Sequence, residues 1–253
     1  MLEVTPTISP GAQVSRVGAD AWHLEIPAGP EGQYRLAQLD DYTGIKRRSF
    51  PWSPPMRFSL RAKASQRNLP GTWGFGFWND PFSLSFGLGG GTRRWPVLPN
   101  ALWFFFASKP NYLSLRDDLP AQGNLGATFR SPQWPSLLLA SGVPAMPLLL
   151  WSPGARLLRR LGRRIVHQDA VEMELDPMVW HSYMITWQQE SVCFEVDGDT
   201  ILKTRVCPDG PMGLVIWIDN QFAALPPSGN VSYGTLANPE PAWVAIESLC
   251  VSA

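Results

Sequence analysis

Trp180-His181-Ser182-Tyr183-Met184-Ile185-Thr186-Trp187, then four residues later Val192-Cys193-Phe194-Glu195-Val196-Asp197-Gly198, is the stretch that decides the fold. His181, Tyr183, Ile185 and Trp187 recur at every second position, which is the period of a strand with one buried face. The second run is rich in β-branched and aromatic residues. Asp197 and Gly198 then supply a two-residue turn of the kind that closes a hairpin.

Working outward from this pair, similar runs occur at Ala21–Ile26, Met56–Ala64, Thr72–Asn79, Ala101–Ala107, Tyr112–Leu115, Gly213–Asp219 and Trp243–Val251. The 25 prolines and 22 glycines divide the 253 residues into these short pieces. Many short strands with frequent turn signals predict an all-β protein, a two-sheet antiparallel β-sandwich of jelly-roll type. The length suits one domain spanning 1–253. No internal repeat is visible.

Lys plus Arg and Asp plus Glu each total 21, so no overall field would gather nucleic acid, and no nucleic-acid partner is expected. Cys193, Cys207 and Cys250 are an odd number without metal-ligand spacing, and they read as reduced, packed thiols. No metal or cofactor is expected from spacing, although a calcium site built from loop oxygens would leave no compact mark in a sequence. Residues 1–14 contain Pro6 and Pro10 and no basic segment leading into an apolar run, so the chain reads as cytoplasmic. No apolar run reaches the roughly 18 residues needed to cross a bilayer.

One region, about 131–174, breaks the strand rhythm. It passes through Leu137-Leu138-Leu139 and Leu148-Leu149-Leu150 to Leu157, Leu158, Leu161 and Ile165, which recur at helical spacing among five arginines, Arg156, Arg159, Arg160, Arg163 and Arg164. A short amphipathic helix inserted between two strands is expected. The simplest reading packs its leucines on the sandwich and leaves its arginines in water. A lid over a cleft is a second reading. Contact with an anionic membrane surface is a third, which Gly162 and the short length weaken.

Phe58-Ser59-Leu60-Arg61-Ala62-Lys63-Ala64, Leu69-Pro70-Gly71-Thr72-Trp73 and Phe77-Trp78, followed by the Trp-His and Val-Asp-Gly blocks quoted above, resemble the corresponding segments of laminarinase-type family 16 glycoside hydrolases, in the same order. The resemblance covers about half of the chain. It implies a concanavalin A-like sandwich with a concave, glycan-binding face. It does not carry the activity over, because that family places an acidic Glu-x-Asp-x-x-Glu triplet on one strand face, and retaining hydrolysis needs two carboxyls about 5 Å apart. The matching strand here reads Ala101-Leu102-Trp103-Phe104-Phe105-Phe106-Ala107-Ser108 and has no carboxylate. Glu172 and Glu174 have strand-face spacing, but they follow the arginine-rich helix and read more simply as solvated or paired with it.

Counting by twos still marks a candidate site. Gly74, Gly76, Trp78 and Asp80 share one face of their strand, and Gly213, Val215, Trp217 and Asp219 share one face of another. Trp78 and Trp217 would stack on sugar rings while Asp80, Asp219, Asn220 and Gln221 exchange hydrogen bonds with hydroxyls. The alternative is that the tryptophans fill the core and the aspartates end their strands in turns. Binding of a carbohydrate or other small ligand is thus the leading expectation. A divergent enzyme using Asp80 and Asp219, on a glycoside or on an apolar substrate beneath the insertion, is the rival.

His181 reads as a structural histidine, and His23 and His167 have no evident partners. The glycine run Gly87 to Gly91 lacks the Lys-Ser/Thr and the helix of a phosphate loop and reads as a loop at the cleft edge. Gln38-Leu39-Asp40-Asp41-Tyr42 could supply polar groups or form a turn.

Overall fold

The computed structural model describes residues 2–81, 94–135, 139 and 143–252, with the backbone alone at 143–146, and statements of absence below refer to these residues. The glycine run at 87–91 and Leu137 and Leu138 lie outside them.

Two seven-stranded antiparallel sheets face each other. The strands of the first, in spatial order, are β1 (Thr5–Ile8), β4 (Leu36–Asp40), β13 (Gly213–Asp219), β6 (Thr72–Trp78), β7 (Ala101–Ala107), β8 (Gly123–Arg130) and β9 (His167–Glu172). Those of the second are β12 (Asp199–Thr204), β11 (Val192–Val196), β10 (His181–Trp187), β5 (Met56–Ala64), β16 (Ala242–Ser252), β3 (Ala21–Ile26) and β2 (Gln13–Gly18). A separate hairpin joins β14 (Gln221–Ala224) to β15 (Ser232–Thr235). One α-helix, α1 (Ser152–Ile165), lies between β8 and β9. The expected all-β sandwich with one helical insertion is the architecture found.

The deciding stretch folds as read. Tyr183 pairs with Val196 and Trp187 with Val192, and Asp197 and Gly198 take positive φ angles of 52° and 92° in the turn to β12. His181 is held at both ring nitrogens, Nδ1 at 2.6 Å from Asp197 Oδ2 and Nε2 at 2.9 Å from the Asp176 carbonyl, which suits a structural role. Tyr112–Leu115, expected as a strand, makes only an isolated bridge through Tyr112 to Ala224. The thiols are free, but Cys250 is exposed, because it faces outward beyond a bulge in β16.

The core lies between the sheets. Phe58, Leu60, Tyr183, Ile185, Trp187 and Phe194 from the second sheet meet Trp73, Phe75, Phe77, Phe104, Phe106, Leu214 and Ile216 from the first. Trp73 and Phe106 stack face to face with centroids 3.6 Å apart, and Tyr183 packs edge-on against Phe75 and Phe104.

The two sheets differ in how they meet water. In the second, β5 and β10 alternate between buried and more accessible residues, as expected where one face is solvated. In the first, β13 is buried at every position and β6 at all but the last. A second apolar cluster on the outer face of that sheet accounts for the difference: Leu36, Tyr42, Phe50, Phe105, Leu125, Val215 and Trp217 are buried there.

Candidate functional site

The register of the first sheet sets the outer face out as transverse rows, because residues paired across neighbouring strands point to the same side. One row runs Asp40, Val215, Gly76, Trp103, Ala127, Ala170. Next to it lie Gln38, Trp217, Gly74, Phe105, Leu125 and Glu172. On the other side Gly213, Trp78, Ala101, Phe129 and Gln168 form a third row.

Glycine is required in this array. A Cβ on Gly74 would sit 2.8 Å from Trp217 Cη2 and 2.4 Å from the Phe104 carbonyl oxygen. A Cβ on Gly76 would be 2.6 Å from Trp103 Cα. The missing side chains let the large rings of neighbouring strands lie across β6.

Trp103 is the hub. Its ring centroid lies 6.0 Å from Trp78, 5.6 Å from Trp217, 5.8 Å from Phe105 and 6.0 Å from Phe129. Trp78, Trp103 and Phe129 are half-buried, whereas Phe105 and Trp217 are covered. The part of the array open to solvent is therefore the strip Trp78, Trp103, Phe129. The sequence reading missed Trp103 and Phe129. The signal for Trp103 is in the sequence, since counting by twos along β7 puts Trp103 and Phe105 on one face.

Trp78 and Trp217, both expected on this face, are on it, at opposite ends of the β6/β13 pair. Pairing is antiparallel, so Trp78 stands opposite Gly213 while Asp219 stands opposite Thr72. The six residue steps along β6 from one rung to the other span about 20 Å at the usual rise. The shared hollow lined by two Trp-Asp pairs is thus corrected to two separate ends, and Asp80 and Asp219 are too far apart to act jointly on one bond.

At the first end, Trp78 Nε1 donates to Tyr42 Oη at 2.8 Å. The Gln38 amide donates to Asp40 Oδ2 at 2.9 Å, and Asp40 Oδ1 accepts from the backbone of Tyr42 and Thr43. The undecided Gln38–Tyr42 stretch therefore does both jobs, with Gln38 on the outer face and Asp40 fixing the turn. Asp80, at a positive φ of 51°, forms a largely buried ion pair with Arg94. Arg94 also donates to the carbonyls of Tyr42 and Ile45 and stacks over Tyr42 and Phe50. Arg47 ties the same corner together by donating to the carbonyls of Asn79, Asp80 and Trp95. Burial, then the charges of Asp80 and Asp40, push the Tyr42 phenol well above its ordinary range.

At the other end, Trp217 Nε1 donates to Thr72 Oγ1 at 3.0 Å, and that hydroxyl donates to Asp219 Oδ1 at 2.9 Å. Asp219 Oδ1 also accepts from the backbone N–H of Thr72 and Gln221. Burial outweighs these bonds and raises the Asp219 carboxyl to about 7. Burial also raises the Tyr34 phenol, with the Asp219 charge adding to it. Asn220 is fully buried, with Oδ1 taken by the Arg35 N–H and Nδ2 by the carbonyls of Gln33 and Leu236. It is a pin between loops rather than a group facing ligand. Gln221 begins β14 and is half-buried.

The other acids offer no pair. Glu172 sits on the edge strand β9, Glu174 lies beyond its end, and both are exposed with no ion pair to α1. No three His, Cys, Asp or Glu side chains converge as a metal site among the described residues. The arrangement offers stacking surface plus buried, already engaged carboxylates.

α1 is seated only partly as expected: Arg156, Arg160, Arg163 and Arg164 are exposed and Leu158 and Ile165 half-buried, but Leu157 is 49% and Leu161 43% exposed, and Arg159, at 4%, is turned inward. Arg159 donates to the carbonyls of Ser114, Leu225 and Arg116 and to Asp117, and lies over the Tyr112 ring. Loops, not a sheet face, receive this helix, and loops present carbonyl oxygens that an arginine satisfies and a leucine does not.

No protein-family model matches the chain, and no curated protein matches its sequence. Solved structures do. A glycoside hydrolase family protein from Mycobacterium thermorestibile aligns over 94% of this chain and 79% of its own, at 14% identity and a TM-score of 0.50. A family 16 endo-glucanase from Bacteroides ovatus aligns over 98% and 94% at 10% identity and 0.47. A legume lectin-like domain from Entamoeba histolytica aligns over 98% and 89% at 9% identity and 0.45. At these identities the likeness is one of fold. What the chain shares with the first of these, a glycoside hydrolase family protein, is its two-sheet antiparallel β-sandwich.

Proposed function

We propose that this protein binds a neutral glycan across the outer face of its first sheet, by stacking sugar rings on Trp103, Trp78 and Phe129, and that it does not hydrolyse what it binds. The observation that carries this reading is the half-open aromatic strip centred on Trp103. Each such ring presents a large, rigid apolar face at little entropic cost, which suits the C–H faces of pyranose rings. Gln38, half-buried at the strip's border, can exchange hydrogen bonds with sugar hydroxyls.

Hydrolysis is disfavoured because the strand that meets the strip, β7, bears no acid, and because Asp80 and Asp219 lie at opposite ends, one in an ion pair with Arg94 and the other buried and accepting through Oδ1 from Thr72 and Gln221. The test is calorimetric titration with β-linked gluco-oligosaccharides, after an array screen for the preferred glycan. The unaltered protein should bind and release no reducing sugar. A folded W78A/W103A variant, checked by near-ultraviolet circular dichroism, should lose measurable binding. Unchanged affinity in that variant, or no glycan bound by the parent, rejects the reading.

A further inference from the structure

The outward side of α1 is the least explained surface of the molecule. Leu157 and Leu161 project from it into solvent, and just before the helix Leu150 is 87% and Trp151 61% exposed. On a helical projection Leu157, Leu161, Ile165 and Leu158 form one stripe, and Arg164, Arg160 and Arg156 form the next. Arg159 and Arg163 are occupied with the body of the protein through Asp117. Arg156, Arg160 and Arg164 are exposed and take part in no ion pair among the described residues. From residue 131 to residue 168 the sequence contains no acid at all.

We propose that this face docks on an anionic lipid surface. Leu157, Leu161, Leu150 and Trp151 would enter the boundary between headgroups and acyl chains, and Arg156, Arg160 and Arg164 would lie among lipid phosphates. The two stripes are adjacent, so one orientation of the helix satisfies both, which is the geometry of an interfacial helix. Charge complementarity selects the occupant: a second copy of this chain would bring three more unpaired arginines to the contact, whereas an anionic bilayer neutralises them. The buried Arg159 fixes the helix to the body, so the face is presented ready-made and no folding of the segment opposes docking. The inference is independent of the glycan reading, since α1 and the Trp103 strip share no residue.

The test is co-sedimentation of the full chain with vesicles of phosphatidylcholine alone and of phosphatidylcholine with phosphatidylserine. Binding is expected to the anionic vesicles only and to weaken with salt. R156Q/R160Q/R164Q should weaken it roughly a hundredfold, at about fivefold per arginine near an anionic surface. L157S/L161S should weaken it by about tenfold or more through the lost apolar contact. These side chains are exposed, so both variants should keep the parent's unfolding midpoint, and Arg159 and Arg163 are left in place. No sedimentation with anionic vesicles overturns the proposal. So does a leucine variant that binds like the parent, which would reduce the effect to charge adsorption of the kind nucleic acid would share. A dimer lost in the leucine variant, without vesicle binding, would assign the face to a second copy instead.

Discussion

The Trp78–Asp80 and Trp217–Asp219 segments share the same spacing, a tryptophan and then an aspartate two residues on, and they come to rest in opposite states. Trp78 is half-open and its aspartate is matched by a guanidinium. Trp217 is 9% exposed and its aspartate has no cation, only a hydroxyl and two backbone N–H donors. The cause is antiparallel pairing. It sends one pair to the corner where Arg47 and Arg94 gather and the other to the end closed by Thr72 and the loops pinned by Asn220. One Trp-x-Asp pattern thus yields an accessible ring at a charged rim and a buried ring beside an acid that burial holds well above the usual carboxylate range.

The largest effect that would break this contrast is in packing. W217A removes a ring that fills the space over Gly74 and touches Trp103 and Phe105, and it should cost about 3–5 kcal/mol of stability in urea unfolding. W78A removes a half-open ring and one hydrogen bond to Tyr42, and should cost about 1–2 kcal/mol. Equal losses would show that the two ends are packed alike.

Next comes the ion pair. R94M removes one of the guanidinium groups that face the largely buried Asp80, Arg47 being another, and should cost up to about 3 kcal/mol, the low end of the range seen when one partner of a buried pair is removed. The double variant R94M/D80N should regain a good part of that loss. If the double variant is no more stable than R94M, the Asp80 charge is not what Arg94 compensates, and Arg94 acts through its bonds to the Tyr42 and Ile45 carbonyls.

Much of this architecture could be read from residues alone. β3, β5, β7, β10 and β13 were legible to the residue because their branched and aromatic side chains recur by twos between strong turn signals. β8, Gly-Asn-Leu-Gly-Ala-Thr-Phe-Arg, was not, since two glycines and three polar residues hide its period and only its neighbours make it a strand. For α1 the place and the amphipathic pattern were legible but the orientation was not. A helical pattern says which side is apolar, and it cannot say that the body will offer carbonyls and Asp117 instead of an apolar groove. The site suffered in the same way. Counting by twos put Trp78 and Trp217 on one face, but register decides which ends of two strands meet, and register arises from pairing between distant segments.

The smallest and most diagnostic effect is in pH. The Asp219 carboxyl rises from an ordinary 3.8 to about 7 because burial penalises its charge more than the Thr72 and Gln221 bonds favour it. A carboxyl with a raised folded-state pKa stabilises the fold fully below its unfolded value, near 4, and loses that stabilisation as pH climbs through 7. Stability should therefore fall between pH 4 and pH 7 by an amount of order 1 kcal/mol per pH unit. D219N removes the titration while keeping an oxygen to accept from Thr72, so its stability should fall less steeply and should match or exceed the parent's at pH 8. Asp41, raised to about 6 mainly by burial, continues to titrate in D219N and leaves a residual slope that ends near pH 6. D80N should show no such gain at pH 8, because there the charge lost is the one paired with Arg94. If D219N loses stability in parallel with the parent across the whole range, burial does not raise the Asp219 carboxyl, and the two Trp-Asp pairs differ in exposure only.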